Sequence, residues 1–229
     1  MRTVSVIIPT RNESAHLGET LKSLAKVEVE TLVVGVHGEP SAAELARQHD
    51  ATFFACRAGR AAQMNAGAAR ARGELLLFLH ADTQIPDGGI EDLRTCFDQP
   101  DVRGGSFRLG LSEAGAGLGL VAWGANLRTR WFGLPYGDQA LFCRRDVFWE
   151  LGGFRDLPIM EDLDFVKRMK TRGKIVCLQS TVNTSSRRWQ LNGLIKTTTI
   201  NALSMTLFCL GVSPQRIRPL YDQLLNQDR

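Results

Sequence analysis

The chain has only five cysteines in 229 residues, Cys56, Cys96, Cys143, Cys177 and Cys209, and no two of them form a Cys-x-x-Cys pair. An odd and scattered set offers neither a disulfide framework nor a zinc site, and it predicts a reducing, cytoplasmic setting. No Gly-x-Gly-x-x-Gly follows any apolar run, which argues against a dinucleotide dehydrogenase. The amino terminus is too short in its apolar part for a signal peptide, so no export is expected. Crossing a bilayer takes about 20 mostly apolar residues. The longest uncharged stretch near the carboxyl end, residues 197–212, is interrupted by Thr197, Thr198, Thr199, Asn201, Ser204 and Thr206, which predicts a helix that is soluble or lies on a surface. There is no basic, aromatic-rich motif, and the 28 lysines and arginines are mixed with 24 acids for a net charge of +4. That balance favours a phosphorylated ligand or an acidic surface over nucleic acid.

What is present is alternation. Residues 4–8 are an apolar run stopped by Pro9; Leu17, Leu21 and Leu24 recur at helical spacing; residues 31–36 read as a second strand. Ser41 with Glu44 has the pattern of a capping box opening a short helix, followed by a strand at 52–55. The alanine-rich segment 61–72 predicts a helix feeding the apolar strand 75–79. Such alternation predicts parallel βαβ units and an α/β fold. Later signals are sparser: strands at 104–109, 140–143 and 175–178, helices at 118–130, from 144 to Gly152-Gly153, and at 163–171. No repeat, linker or low-complexity tract divides the chain.

Polar residues cluster at the ends of these apolar elements, where open α/β sheets bind ligands. His80-Ala81-Asp82 directly follows the run 75–79. An extended backbone there predicts His80 and Asp82 on one side and Ala81 toward the sheet. A carboxylate so placed can hold a divalent cation against a diphosphate; the plainer alternative is an Asp that starts a turn. Thr10-Arg11-Asn12-Glu13 follows the first strand, with helix capping as the alternative to ligand binding. Arg57, Arg60, Gln63 and Asn65 open an expected helix, where charge and fork geometry suit a diphosphate. Glu161-Asp162, with Asp164 beside them, begin another helix, and the dipole alone explains acids there. The apolar Leu157-Pro158-Ile159-Met160 before them predicts a carboxylate at the wall of a partly desolvated pocket, suited to accept a proton from a hydroxyl. Gly137-Asp138-Gln139 is a further loop candidate. Arg187-Arg188-Trp189 pairs two fixed charges with an aromatic, a combination for a phosphate joined to a sugar or base, or else an exposed basic loop.

Taken in order, Val6-Ile7-Ile8-Pro9-Thr10-Arg11-Asn12-Glu13, Gly59-Arg60-Ala61-Ala62-Gln63-Met64-Asn65-Ala66-Gly67-Ala68, Leu77-Phe78-Leu79-His80-Ala81-Asp82-Thr83 and Met160-Glu161-Asp162-Leu163-Asp164 resemble the motifs of family 2 glycosyltransferases of the GT-A fold. Pro135-Tyr136-Gly137-Asp138-Gln139-Ala140-Leu141-Phe142 and Arg187-Arg188-Trp189 are similar to a bacterial branch associated with radical-SAM and selenoprotein-like domains and with arsenosugar biosynthesis. The resemblance implies one Rossmann-like, mostly parallel sheet flanked by helices over residues 1–190, with a nucleotide half near 1–100, an acceptor half near 101–190 and a helical extension at 191–229. It implies that Thr10, Arg11, Glu13, Arg60, Ala81 and Asp82 bind the nucleotide. Asp82 corresponds to the metal-binding acid, and His80, in the place of the motif's first acid, is a second candidate ligand. Asp162 corresponds to the catalytic base. Glu161, Gly137 and Asp138 border the acceptor, and Arg187, Arg188 and Trp189 match a basic loop over the diphosphate. In one departure, family members carry an acid after the second strand to contact the base. Here Gly35 follows Val34, and the next acid is Glu39.

The implied cofactor is Mg²⁺ or Mn²⁺, and the implied partners are a nucleotide-sugar donor, a UDP-sugar, and a small-molecule or lipid-linked hydroxyl acceptor. The implied reaction is inverting hexosyl transfer by single displacement. Asp162 takes the acceptor proton, while Asp82, through its cation, and Arg187 or Arg188 offset the charge on the departing diphosphate. A nucleotide-sugar-binding protein without catalysis is one alternative, motivated by Gly35 and His80. A sugar-phosphate nucleotidyltransferase is another, but Pro9-Thr10-Arg11-Asn12 lacks the glycines of its phosphate loop. Leu194, Ile195, Ile200, Leu203, Leu207 and Phe208 predict a carboxyl-terminal helix, flanked by Lys196, Arg216 and Arg218. It is expected to pack on a second subunit, lie on an anionic membrane surface at the inner face, or complete the core.

Overall fold

The computed structural model describes residues 1–112 and 116–225. Near-continuous apolar sequence with no polar alternation belongs to strands covered on both faces, and β1 (Val4–Pro9) is buried along its length. It is followed by α1 (Ser14–Leu24), β2 (Glu30–Val36), α2 (Pro40–Gln48), β3 (Thr52–Cys56), α3 (Arg60–Arg70) and β4 (Leu75–Phe78). The four strands pair in parallel in the order β3-β2-β1-β4. Leu17, Leu21 and Leu24 of α1 pack on Val4, Val6 and Ile8, and Met64 and Ala68 of α3 pack with Ile7 on the opposite face.

The contact between α3 and β1 is close because Gly67 has no side chain: a Cβ there would overlap the Cγ2 methyl of the fully buried Ile7. Gly67→Ala is expected to destabilise the fold by about 1–3 kcal/mol through overpacking. A lower denaturation midpoint with unchanged slope is the readout. An unchanged midpoint would mean that α3 shifts without resistance.

The second half comprises β5 (Thr83–Gln84), α4 (Gly89–Cys96), β6 (Val102–Leu111), α5 (Ala116–Phe132), a 3₁₀ turn at Gly137–Gln139, β7 (Leu141–Arg144), α6 (Arg145–Glu150), α7 (Glu161–Lys170) and β8 (Lys174–Thr184). These strands extend the same sheet to β3-β2-β1-β4-β7-β6-β8-β5. β7 runs antiparallel to both β4 and β6, β8 is parallel to β6, and β5 is antiparallel to β8. The predicted α/β sheet is therefore present and mostly parallel, with its direction reversed at β7. Three helices, α8 (Arg187–Asn192), α9 (Leu194–Cys209) and α10 (Pro214–Leu225), follow. No described helix is long and apolar enough to cross a membrane.

Ser41 does not cap α2, as its pairing with Glu44 predicted. Pro40 already occupies the first turn, and Glu44 bonds forward to Arg47 (2.6 Å) and Gln48 (2.9 Å). The helix expected to 72 stops at Arg70, and the strand expected at 175–178 is the start of an eleven-residue β8 whose later residues are mainly polar. The segment 187–189, read as a loop, is the first turn of α8. The extension expected at 191–229 holds the last two residues of α8 and all of α9 and α10 rather than one helix, and its last four residues lie outside the described residues.

Candidate active site

The loops after β1 and β4, the 3₁₀ turn, the start of α7 and helix α8 surround one cleft of about 1170 Å³. One wall is built on the first strands. The Thr10 amide donates to the Val34 carbonyl (2.9 Å), and the buried Gln63 amide nitrogen donates to the carbonyls of both Thr10 and Val34 (2.7 Å each). Arg11 and Glu13, further along this loop, line the cleft. Burial raises the Glu13 pKa, the charge of Asp82 raises it further, and Arg60 and Arg187 pull against both. The missing acid after β2 has a spatial reason. A Cβ on Gly35 would come within 2.7 Å of the Phe53 ring and 2.8 Å of a Glu39 carboxylate oxygen, so Glu39 already fills that space. Its oxygens accept the backbone N–H groups of Asn12 and Val36, and this holds the loop in place.

After β4 the chain turns at once: Thr83 N donates to His80 O (3.1 Å), so residues 80–82 are not extended as expected. The tight turn still brings His80 and Asp82 to the same cleft, while Ala81 is buried and its carbonyl accepts the Thr20 hydroxyl (2.8 Å). The Asp82 carboxylate receives long bonds from the hydroxyls of Thr184 (3.4 Å) and Thr83 (3.5 Å). Burial, then Arg60 and Arg188, hold the His80 pKa well below its usual range, so the imidazole is neutral at pH 7.

The opposite wall starts at Met160, whose left-handed backbone (φ 67°) turns the chain into α7. Asp162 accepts from Gly137 N through Oδ2 and from Leu163 N through Oδ1, each at 2.7 Å. Gly137, His80 and Asp162 crowd one point: a Cβ on Gly137 would lie 2.9 Å from His80 Nε2 and 3.3 Å from Asp162 Oδ2. Buried Glu161 lies 3.6 Å from Arg60, a pair that bridges the two walls. Burial raises the Glu161 pKa, Arg60 opposes it, and Asp162 adds to it. On α8, Arg187 approaches His16 (3.5 Å), Arg188 donates to the Tyr221 hydroxyl (3.2 Å), and buried Trp189 donates to Thr198 (3.3 Å).

Residues 5–110 match the family model described as Glycosyl transferase family 2. The match covers somewhat less than half of the chain, the part that carries β1 to β4. No curated protein matches the chain. Among solved structures, S. aureus TarS 1-349 is similar at 16% identity over 97% of this chain and 69% of that one, with a TM-score of 0.63. The same TarS segment in complex with UDP-GlcNAc aligns at 14% identity over 98% and 71%, TM-score 0.62. Glucosyl-3-phosphoglycerate synthase from Mycobacterium tuberculosis, in complex with Mn²⁺, UDP and glucosyl-3-phosphoglycerate, aligns at 16% identity over 90% and 79%, TM-score 0.62. These likenesses show the fold, a GT-A arrangement.

Of the four residues expected to grip a diphosphate at α3, only Arg60 has its charge directed to the cleft. Arg57 pairs with Asp156 at the surface (2.8 Å), the Gln63 amide is used within the protein, and Asn65 exchanges bonds with the Phe154 backbone (2.8 and 2.9 Å). Asp164 pairs with Arg155 and Arg168 instead of lining the cleft. The structure adds Tyr136, Asn201 and Tyr221 to the lining. The sequence signals for these were the motif 135–142, which contains Tyr136, and Asn201, a polar break in an apolar helix. The Asn201 side chain accepts the Tyr221 hydroxyl (3.1 Å).

Asp138, in the 3₁₀ turn, has a measurable signature. Its Oδ1 is buried without a hydrogen-bond partner, and burial raises its pKa from 3.8 to about 6, with Arg128 opposing and Asp162 adding. A carboxyl with a raised folded-state pKa binds its proton more tightly when folded, so it lowers stability increasingly as pH rises from about 4 to 6 and fully above 6. Asp138→Asn is therefore expected to raise Tm at pH 8 by a few degrees, for about 1–2 kcal/mol, with no gain at pH 4. The same shift at both pH values would contradict a strained, ionised Asp138.

Proposed function

We propose that the chain transfers a hexosyl group from a UDP-sugar to a hydroxyl acceptor, inverting the anomeric carbon. The observation that carries this reading is the cleft in which Asp162 stands across from Glu13 and Asp82, beyond the carboxyl ends of β1 and β4, and from Arg60 at the start of α3. The family 2 match over that half supports a nucleotide-sugar donor, and the UDP-GlcNAc and UDP held by the two neighbours support uridine. Residues 135–142 and 187–189 support the narrower radical-SAM-associated branch.

Asp82 and Glu13 are oxygen donors within electrostatic reach of each other, and no group of three His, Cys, Asp or Glu forms a closed metal site among the described residues. Such an open pair fits Mg²⁺ or Mn²⁺, which take their remaining ligands from phosphate and water. Neutral His80 is a second candidate ligand and favours Mn²⁺. When bound, the ion supplies positive charge to the diphosphate. Arg187 and Arg188 add fixed positive charge as the diphosphate leaves. Asp162 Oδ2, with one lone pair on Gly137 N, has the other for the acceptor proton. Direct displacement with that base on the far side of the sugar inverts the anomeric centre.

The test is release of nucleotide diphosphate from a panel of UDP- and GDP-sugars with Mg²⁺ or Mn²⁺, followed by NMR of the product anomer. Slow UDP release, raised by an acceptor, is expected. Binding without turnover across the panel would move the chain to the non-catalytic reading, and pyrophosphate release from a nucleoside triphosphate and a sugar phosphate to the nucleotidyltransferase reading.

A further inference from the structure

α5 and α9 lie side by side. Leu194, at the start of α9, packs on Gly117, near the start of α5, where an added Cβ would come 2.5 Å from Leu194. Beyond α5 the Tyr136 hydroxyl donates to the Asn201 carbonyl of α9 (3.4 Å). Lys170 and Lys167 of α7 reach the Phe132 carbonyl (2.6 Å) and the Phe208 ring (5.2 Å) on the two helices.

From this pair Leu120 (66% exposed), Trp123 (61%) and Trp131 (69%) face solvent on α5, Ile195 (80%) on α9, and Leu210 (76%) just past its end. Spacings of three and eight residues put the α5 trio on one side of the helix. The buried positions of α9 are Thr197, Ile200 and Ser204, two of them polar, while Ile195 and Leu203 are exposed and Leu194, Met205, Leu207 and Phe208 are half-buried. A helix that is apolar on all sides is ordinarily enclosed, and two exposed tryptophans on the neighbouring helix enlarge the apolar area beyond what scattered surface residues explain.

Charge identifies what covers it. α5, α8 and α9 contain Arg128, Arg130, Arg187, Arg188 and Lys196 and no acidic residue. Arg130 and Lys196 are exposed beside the apolar residues. A second copy meeting this face across a two-fold axis would set cations against cations with no acid to offset them. An anionic bilayer offers the complement: negative headgroups for Arg130 and Lys196, and an interfacial layer that suits indole rings.

We propose that the α5–α9 face binds the surface of an anionic lipid bilayer, with both helices lying in the interface. Leu191 of α8, 76% exposed, also lines the cleft, so docking sets the cleft mouth against the bilayer. This inference is independent of the reaction proposed above, because its readout is partitioning.

Sedimentation with vesicles of phosphatidylglycerol, and of phosphatidylcholine alone, tests it. The full chain is expected to pellet with the anionic vesicles only, less so at high salt. Trp123→Ala/Trp131→Ala should weaken partitioning by about tenfold or more, and Arg130→Gln and Lys196→Gln by about fivefold each. All four side chains are solvent-exposed, so unchanged melting temperatures are expected alongside. A wild type that stays in the supernatant with phosphatidylglycerol, or a tryptophan double variant that still pellets fully, overturns the proposal. So does a lipid-indifferent dimer that the tryptophan variant dissociates, which would assign the face to a second copy.

Discussion

Asp162→Asn is expected to lower the proposed sugar transfer by about 10² to 10⁴, the usual contribution of a positioned general base, while donor affinity stays within a few-fold of wild type. The amide keeps the shape of the carboxylate but cannot accept the acceptor proton. It also keeps only one acceptor oxygen for two amides, those of Gly137 and Leu163, both now at 2.7 Å. One of these meets an NH₂ group instead, so the variant should lose about 1–2 kcal/mol of stability as well. Measuring kcat, donor Kd and Tm on one preparation separates the two effects. If Asp162 only anchors the 3₁₀ turn to α7, Tm falls and the folded fraction turns over at the wild-type rate, which would remove it from the chemistry.

Asp82→Ala weakens nucleotide-diphosphate binding in the presence of Mg²⁺ or Mn²⁺ by about tenfold or more, and the binding that remains no longer responds to the ion. The carboxylate is suited to this because it lines the cleft and its bonds from the Thr83 and Thr184 hydroxyls are long, 3.5 and 3.4 Å. Its removal has an opposite effect in the absence of metal. Glu13 then loses a repulsive neighbour, and a negative charge disappears from beside the phosphates, so metal-free binding of the variant should equal or exceed that of wild type. Titrations of both proteins with and without the ion therefore form a crossed pattern. Equal affinity in all four would falsify a role for Asp82 in the donor site.

The first half of the fold was legible because its strands are enclosed on both faces: β1, β2 and β4 are runs of Val, Ile and Leu whose ends need no other signal. The second half was less so. β5 is two residues long and is a strand only because β8 lies beside it, and the polar end of β8 in turn pairs with β5 and β6. α4 is eight residues with a polar leading edge, too short for a periodic signal. In the cleft, carboxylates next to apolar runs were readable from local sequence. The roles of Gln63 and Asn65 were not, since a helix-start amide looks alike whether it meets ligand or main chain; the partners that decide it, Val34 and Phe154, are distant in sequence. The burial of Asp138 was hidden for the same reason, as Gly-Asp in isolation reads as an ordinary turn.

The pairing of β5 with β8 also orders the assembly of the cleft in time. The wall that carries Thr10, Glu13 and Arg60 closes through near neighbours in a stretch of about 80 residues, so it is available early as the chain emerges. The oxygens of Asp82 meet Thr184 and Ser185 only after a loop of about a hundred residues has closed, an entropic toll that grows with separation. A nascent chain interrupted before β8 thus has the wall of Thr10, Glu13 and Arg60 without Thr184 to orient Asp82, and on the proposed donor role this acid becomes competent only with the last strand.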